Sequence, residues 1–280
     1  MDNQDTRIGF IGGGNMSCAI IRGLLDAGHD PDCLRVSDPA TAQRERIQQL
    51  HPDLRVTDDN VTTLESAAGL ILAVKPQLMA AATAELKNAS KPPNQLIISI
   101  AAGVTLDTLQ ALLDPAPALV RIMPNQPAMS GAAMSVLIAT ESTSSEHRAM
   151  AQYVAEAMGR AVWIDDEGMM DAVTAISGSG PAYFYLLGEI MEASAIEMGL
   201  PRELAKILTR QTLFGAGKTV IESEPSLAEL RESVTSKGGT TAAAMAVLER
   251  AGFRDIVREA LTAARDRSVE LGTDTRGTNA

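Results

Sequence analysis

Between residues 7 and 123 the chain alternates short apolar runs with segments of helical spacing, and this rhythm restricts the fold more than any other feature of the sequence. Arg7-Ile-Gly-Phe-Ile-Gly12 reads as a first strand, Leu34 to Asp38 as a second that Pro39 ends, and Val56 marks a weak third. Leu70-Ile-Leu-Ala-Val74, Leu96-Ile-Ile-Ser-Ile100 and Leu119-Val-Arg-Ile-Met123 are continuous apolar runs of the kind buried on both faces. The segments between them read as helices. In the first, Ile20, Ile21, Leu24 and Leu25 share a face and Gly28 supplies the stop; others fall near 40–51, 60–67, 77–88 and 105–113. Strands alternating with helices predict a parallel sheet wound on both sides.

After Pro124 the rhythm weakens. Two last strands are expected at 132–139 and 161–164, with a helix over 145–158 between them. Beyond about residue 168 only helical patterns remain. Pro181 opens one that Gly199 stops, and Pro201 opens a second running to about 222. Ser226 with Glu229 forms a capping-box signature for a third. Thr240 or Thr241 is expected to cap a fourth, and a fifth spans 253–271, leaving 272–280 as a disordered tail. The predicted domains are 1–167 and 168–280.

A net charge of −11 argues against nucleic acid and anionic membrane surfaces as partners. Cys18 and Cys33 have no metal-ligand spacing and read as free thiols, and no metal site is expected. No apolar run approaches the ~20 residues of a membrane helix. The first seven residues lack the apolar core of a signal peptide, so the expected location is cytoplasmic. His29, His51 and His147 lie in polar stretches and are expected at the surface.

Gly12-x-Gly14-x-x-Ser17 sits between the first strand and the first helix. Glycine at the first position permits a tight turn, and glycine at the second leaves room for a pyrophosphate against the backbone. A small third residue lets helix and strand pack closely. The helix N-terminus then presents unpaired N–H groups to the phosphates. Strict fingerprints carry glycine or alanine third, so Ser17 departs from them. At the end of the second strand, Asp38 is placed to bond the ribose 2′-hydroxyl of NAD and to repel the 2′-phosphate of NADP, which Arg44 and Arg46 would offset. An Asx turn before Pro39 is the other reading of Asp38.

Four further segments complete a set: Ala73-Val-Lys-Pro-Gln77, Ser99-Ile-Ala-Ala-Gly-Val-Thr105, Ser177-Gly-Ser-Gly-Pro-Ala-Tyr183 and Val234-Thr-Ser-Lys-Gly-Gly-Thr-Thr241. With Gly12-Gly-Gly-Asn-Met16 they resemble the pyrroline-5-carboxylate reductases over about 7–272. The resemblance implies an α/β N-terminal Rossmann-type doubly wound sheet followed by an all-α C-terminal dimerisation domain. It also implies reduction of 1-pyrroline-5-carboxylate, a cyclic imino acid, to L-proline with NADPH or NADH, the last step of proline biosynthesis. Family members are homodimers through interlocked C-terminal helices, often gathered into decamers. Carried over, cofactor contacts fall on Ile11, Gly12, Gly13, Gly14, Asn15 and Met16, on Asn60, on Ala73, Val74, Lys75 and Pro76, and on Ala101, Ala102 and Gly103. Ser37 and Asp38, at the end of the second strand, join them as expected cofactor contacts by position. Substrate contacts fall on Ser236, Gly238, Gly239, Thr240 and Thr241. Two positions depart from the family: Gln126 stands where threonine is usual and Lys237 where proline is usual.

Hydride transfer to a protonated cyclic imine leaves the protein little proton chemistry, so positioning carries most of the task. This agrees with a sequence that offers no evident general base. The backbone of the Gly238-Gly239 loop is suited to the substrate carboxylate, and the Thr241 hydroxyl to orienting the ring nitrogen as the one catalytic side chain. Plain N-capping is the other reading of Thr240 and Thr241. The run Ser177 to Pro181 reads as a close-packing hinge between domains. A 3-hydroxyacid dehydrogenase-like oxidoreductase is a competing class, but it would need a lysine just after this run and none occurs before Lys206. A non-catalytic dinucleotide-binding paralogue is the third reading, resting on Gln126 and Lys237.

Overall fold

The computed structural model describes residues 3–87, 89–113 and 118–277. The chain opens with β1 (Ile8–Ile11), α1 (Asn15–Asp26), β2 (Leu34–Ser37), α2 (Thr41–Gln48), β3 (Arg55–Thr57), α3 (Asn60–Glu65) and β4 (Gly69–Leu72). It continues through α4 (Met79–Ala84), β5 (Leu96–Ser99), α5 (Leu106–Leu112), β6 (Ala118–Met123), β7 (Ala133–Ala139), α6 (Ser145–Glu156) and β8 (Gly159–Trp163). Helices follow: α7 (Met170–Val173), α8 (Gly180–Glu197), α9 (Arg202–Glu222), α10 (Leu227–Ser233), α11 (Thr240–Arg250) and α12 (Phe253–Gly277).

The eight strands form one sheet in the order β3-β2-β1-β4-β5-β6-β7-β8. All neighbours are parallel except β6 and β7, which pair antiparallel, so the expected parallel sheet runs from β3 to β6 and the last two strands join it in the opposite direction. The reason lies in the connection: a short turn through Gln126–Ser130 joins β6 to β7 with no crossover helix, and a parallel return would need one. Strand order reverses between β1 and β4, which makes the C-terminal ends of these two strands the switch point of the sheet.

The apolar runs bury both faces because alternate residues serve opposite cores. Ile8, Phe10, Ile71, Leu96, Ile98, Val120 and Ile122 pack with Ile20, Ile21 and Leu24 of α1 and Val154 of α6. Ile11, Leu70, Leu72, Ile97, Leu119 and Met123 pack with Leu64 of α3, Met79 of α4 and Leu106 and Leu109 of α5. The sequence-derived strands at 70–74 and 96–100 end earlier than expected, at Leu72 and Ser99. The residues beyond them leave the sheet and form loops at its C-terminal edge.

The chain divides into two compact units, Met1–Gly178 with Ala264–Ala280, and Ser179–Ala263. The division falls within the Ser177–Pro181 run of small residues. Residues 170–178 pack with the sheet: Met170 belongs to the α5-side core, and Thr174–Gly178 form a π-type turn with Ala175 buried. In the second unit, Gly188 of α8 faces Leu213 and Thr209 of α9, so a small residue sets the approach of these helices. Helix α12 runs to Gly277, past the expected stop at 271; of the tail expected to be disordered, only 278–280 lie outside the described residues.

Gly23 gives a test of the packing. It lies in the interior of α1, where alanine normally stabilises by roughly 0.5–1 kcal/mol. A Cβ here would overlap the backbone carbonyl of Ala157. Gly23→Ala is therefore expected to destabilise by about 1–3 kcal/mol, through overpacking against backbone that has no rotamer to yield. Urea unfolding decides the sign; a gain in stability would mean that α1 does not approach the end of α6 this closely.

Candidate active site

The turn after β1 is built from backbone contacts. Gly12 donates its N–H to the Ser37 carbonyl at 2.8 Å, joining the end of β1 to β2. Its φ is +101°, and a Cβ there would lie 2.7 Å from the Ala73 carbonyl oxygen. Only glycine meets both conditions. Gly13 donates to Asp38 Oδ2 at 2.8 Å. Gly14 is the N-cap of α1 and offers no side-chain cap, and a Cβ on it would meet nothing within 4 Å. The first intrahelical bond runs from Cys18 N–H to the Gly14 carbonyl at 3.0 Å. The N–H groups of the first turn thus lack both intrahelical acceptors and a cap, above open space. That arrangement fits a pyrophosphate. Ser17, the departure from the usual glycine or alanine, is buried and donates to the Gly12 carbonyl at 2.6 Å, closing the turn on itself.

Asp38 makes the expected Asx turn and also reaches the glycine turn. Oδ1 accepts the Ala40 N–H at 2.8 Å, an Asx turn, while Oδ2 accepts Gly13 N–H. The carboxylate therefore stands at the rim of the glycine turn. Arg44 donates to the Asp38 and Pro39 carbonyls at 2.8 and 2.9 Å, and Arg46 to Asn15 Oδ1 at 2.6 Å. The Ser37 hydroxyl donates to Asn60 Oδ1 at 2.7 Å, and Asn60 in turn donates to Glu85 at 2.7 Å. Ala73 N–H donates to the Ile11 carbonyl at 2.8 Å, tying the loop after β4 to the glycine turn. Val74 and Pro76 are half-buried and Lys75 is exposed. After β5, Ala101 is buried and Ala102 exposed. The expected cofactor residues thus gather along one edge of one sheet.

The loop at residues 236–241 belongs to the second unit. Gly239 N–H donates to the Ser236 carbonyl at 3.0 Å, and Gly238 takes a φ of +75°. Gly239, not a threonine, is the N-cap of α11, and no side chain caps this helix. The expected capping by Thr240 or Thr241 is thereby corrected: both lie inside the first turn, where their hydroxyls do not reach the end N–H groups. Thr240 is exposed and Thr241 half-buried. Ser236, Lys237 and Gly238 are exposed.

His29 is not at the surface as expected: it is 2% exposed, with Nδ1 3.1 Å from the Tyr153 hydroxyl. Burial pushes its pKa down. It lies past the far end of α1 from the glycine turn, so it serves the fold rather than the edge described above. Burial likewise pushes up the Cys18 thiol.

The sequence reading missed three polar residues near this edge. Asn125 donates to the Ser177 carbonyl at 3.1 Å and accepts Met134 N–H at 3.0 Å, holding the π-type turn to the sheet. Arg121, in the middle of β6, forms an ion pair with Glu167 at 2.7 Å, their side chains 4% and 25% exposed. A charge inside an otherwise apolar run was the available signal, since a buried guanidinium requires a counter-charge. Nothing in the sequence around Glu167 marks it as that partner.

A sheet with this strand order, carrying a glycine turn and an uncapped helix N-terminus at its switch point, defines a dinucleotide-binding protein of the Rossmann type. Residues 7–103 match the family described as NADP oxidoreductase, coenzyme F420-dependent, and residues 167–271 the family described as pyrroline-5-carboxylate reductase dimerisation. The chain is 43% identical to the pyrroline-5-carboxylate reductase of Haemophilus influenzae, over 96% of this chain and 99% of that protein. It is similar to the solved pyrroline-5-carboxylate reductase of Coxiella burnetii, at 36% identity and a TM-score of 0.89, covering 95% and 98% of the two chains. The Plasmodium falciparum pyrroline carboxylate reductase, solved with NADP bound, is 27% identical with a TM-score of 0.85, covering 96% and 99%. The chain belongs to the pyrroline-5-carboxylate reductase family.

The position of Asp38 generates a test of cofactor choice. Asp38→Asn keeps an acceptor for Gly13 N–H and removes the charge that a 2′-phosphate would meet. The ratio of kcat/KM for NADPH to that for NADH is expected to rise about tenfold, on the order of 1–1.5 kcal/mol of relieved repulsion near the surface. An unchanged ratio in parallel steady-state assays would remove Asp38 from the ribose.

Proposed function

We propose that this chain reduces 1-pyrroline-5-carboxylate to L-proline by hydride transfer from NADPH or NADH, the last step of proline biosynthesis. The observation that carries the reading is the full-length likeness to reductases of this substrate. The proposed division of labour is a dinucleotide-binding part, 1–167, and a helical part, 168–280, for dimerisation and substrate. Steady-state oxidation of each cofactor with the cyclic imine tests it; absence of turnover would leave the non-catalytic reading. The dehydrogenase alternative loses support because α8 carries no lysine.

The glycine turn and the first turn of α1 hold the pyrophosphate, Ser37, Asp38 and Asn60 the ribose side, and the loops at 73–76 and 101–103 the nicotinamide side. When bound, the cofactor supplies the hydride. The Gly238–Gly239 backbone and the uncapped start of α11 bind the substrate carboxylate, because unpaired N–H groups and the helix dipole favour an anion. The Thr241 hydroxyl bonds the ring nitrogen and orients the imine carbon. Protonation of that nitrogen makes the carbon electrophilic; the hydride forms the new C–H bond and the C=N electron pair returns to nitrogen. No side chain need act as a strong base.

A homodimer, further gathered into decamers, is proposed for the assembly. The second unit alone leaves Ile190, Ile207, Phe214 and Ile221 between 53% and 80% exposed. Such apolar faces suit burial by a second copy. Among the described residues no helix is long and apolar enough to cross a membrane, and we place the enzyme in the cytoplasm.

Thr241→Ala is expected to lower kcat about 10- to 100-fold, the equivalent of one well-placed hydrogen bond of ~1.5–3 kcal/mol, with cofactor affinity unchanged. Normal turnover would transfer the orienting role elsewhere. Light scattering at micromolar concentration should give at least a dimeric mass; a monomer would contradict the assembly.

A further inference from the structure

We infer that Glu167 is a positioning residue for the cofactor: through the Leu106 amide it fixes the loop that carries Ala101, Ala102 and Gly103. The inference rests on the reading of that loop as a nicotinamide-side contact.

The loop joins the end of β5 to the start of α5, and the structure pins it at both ends. At the β5 end, Ile100 N–H donates to the Leu72 carbonyl at 3.2 Å and Ala101 N–H to Ser99 Oγ at 3.4 Å. At the α5 end, Leu106 N–H donates to the Glu167 carboxylate, 3.0 and 3.3 Å from its two oxygens. Glu167 lies in the turn after β8, far away in sequence, and its carboxylate is held in turn by Arg121 of β6. Arg121 is in register with Ser99, so the anchor of the pair stands beside the strand from which the loop departs. The strand, the ion pair and the helix N-terminus thus close a ring around the loop.

Two observations separate this role from simple helix capping. Helix α5 already has a cap, since Thr105 Oγ1 accepts the Thr108 N–H at 3.2 Å. Next, a cavity of about 210 Å³ borders Gly103, Thr105, Arg121 and Glu167. Ala101, Val104 and Leu106 pack into the α5-side core and Gly103 lies against the backbone of Leu271 and Gly272, but the space beside Thr105 and Glu167 is unfilled, so there the loop's position depends on directional bonds as well as on packing. The bond from Leu106 N–H to a carboxylate that a buried guanidinium holds is charge-assisted, and so stronger than a bond between neutral groups. Glu167 need touch neither cofactor nor substrate to set where the nicotinamide rests, and displacement of a reactant by an ångström costs orders of magnitude in rate.

Removing Glu167 alone strands a buried cation, so the test uses paired variants. Arg121→Met with Glu167→Gln removes the ion pair but keeps an oxygen for Leu106 N–H. Arg121→Met with Glu167→Leu removes both. Circular dichroism establishes folding, Val154→Ala serves as a destabilised control away from the loop, and NADPH fluorescence gives the Kd beside steady-state KM values. The Leu-containing pair is expected to raise Kd and KM for NADPH about tenfold, with KM for the imine unchanged, while the Gln-containing pair stays within about twofold of the parent. Equal behaviour of the two pairs would overturn the inference. Ala102→Leu, at an exposed loop position, separates the two layers. If it leaves NADPH binding unchanged, the nicotinamide-side reading of the loop fails; if it weakens binding while both pairs bind as the parent does, the positioning role alone fails.

Discussion

The approach of the Gly12 backbone to the Ala73 carbonyl is the constraint on which the rest of the site depends. It brings the segment after β1 against the segment after β4 at the point where strand order reverses. No side chain fits between them, and the positive φ of Gly12 turns the chain away from the sheet and into α1. Ile20, Ile21 and Leu24 then hold α1 against the sheet, and Gly23 lets it settle on the carbonyl of Ala157. The uncapped N-terminus of α1 is consequently aimed by the core beneath it. The proposed binding of a pyrophosphate would in this sense be a consequence of packing, because the N–H groups of the first turn of α1 are fixed in direction by the core.

Much of this was legible in the sequence. Runs buried on both faces appear as unbroken apolar stretches, and the periodicities of strand and helix are distinct enough to order the elements. The glycine turn was legible because Gly12, at its head, has a steric cause. What escaped were features set by partners distant in sequence. The antiparallel β7 follows from a connection too short for a crossover, which an apolar run cannot announce. His29 lies in a polar stretch yet is buried against Tyr153, a residue on a helix far along the chain. Thr240 and Thr241 are good capping residues by type, but the helix begins one residue earlier, at a cap supplied by Gly239. Propensity is a local statement, and the start of α11 is fixed by the turn Ser236 makes with Gly239.

Arg121 shows how an irregularity in a pattern marks a site. Its neighbours in β6 alternate between the two cores, and it faces the α5 side with Leu119 and Met123. A guanidinium there is retained at a cost in desolvation, and breaking such a pair typically costs about 3–5 kcal/mol. Its partner carboxylate is shared with a helix N-terminus, so that cost also fixes geometry. The second unit works differently. Its helices bury small residues such as Gly188 and Ala205 while large apolar side chains remain exposed, a composition suited to a surface completed by another copy.

Amide hydrogen exchange with and without NADPH tests the central claim, that the C-terminal edge of the sheet at its switch point is the cofactor site. Slowed exchange is predicted for amides in 14–16, 74–75 and 102–103, in the loops and the first helical turn at that edge. Protection confined to the opposite edge of the sheet, or to the helices of the second unit, would contradict the account.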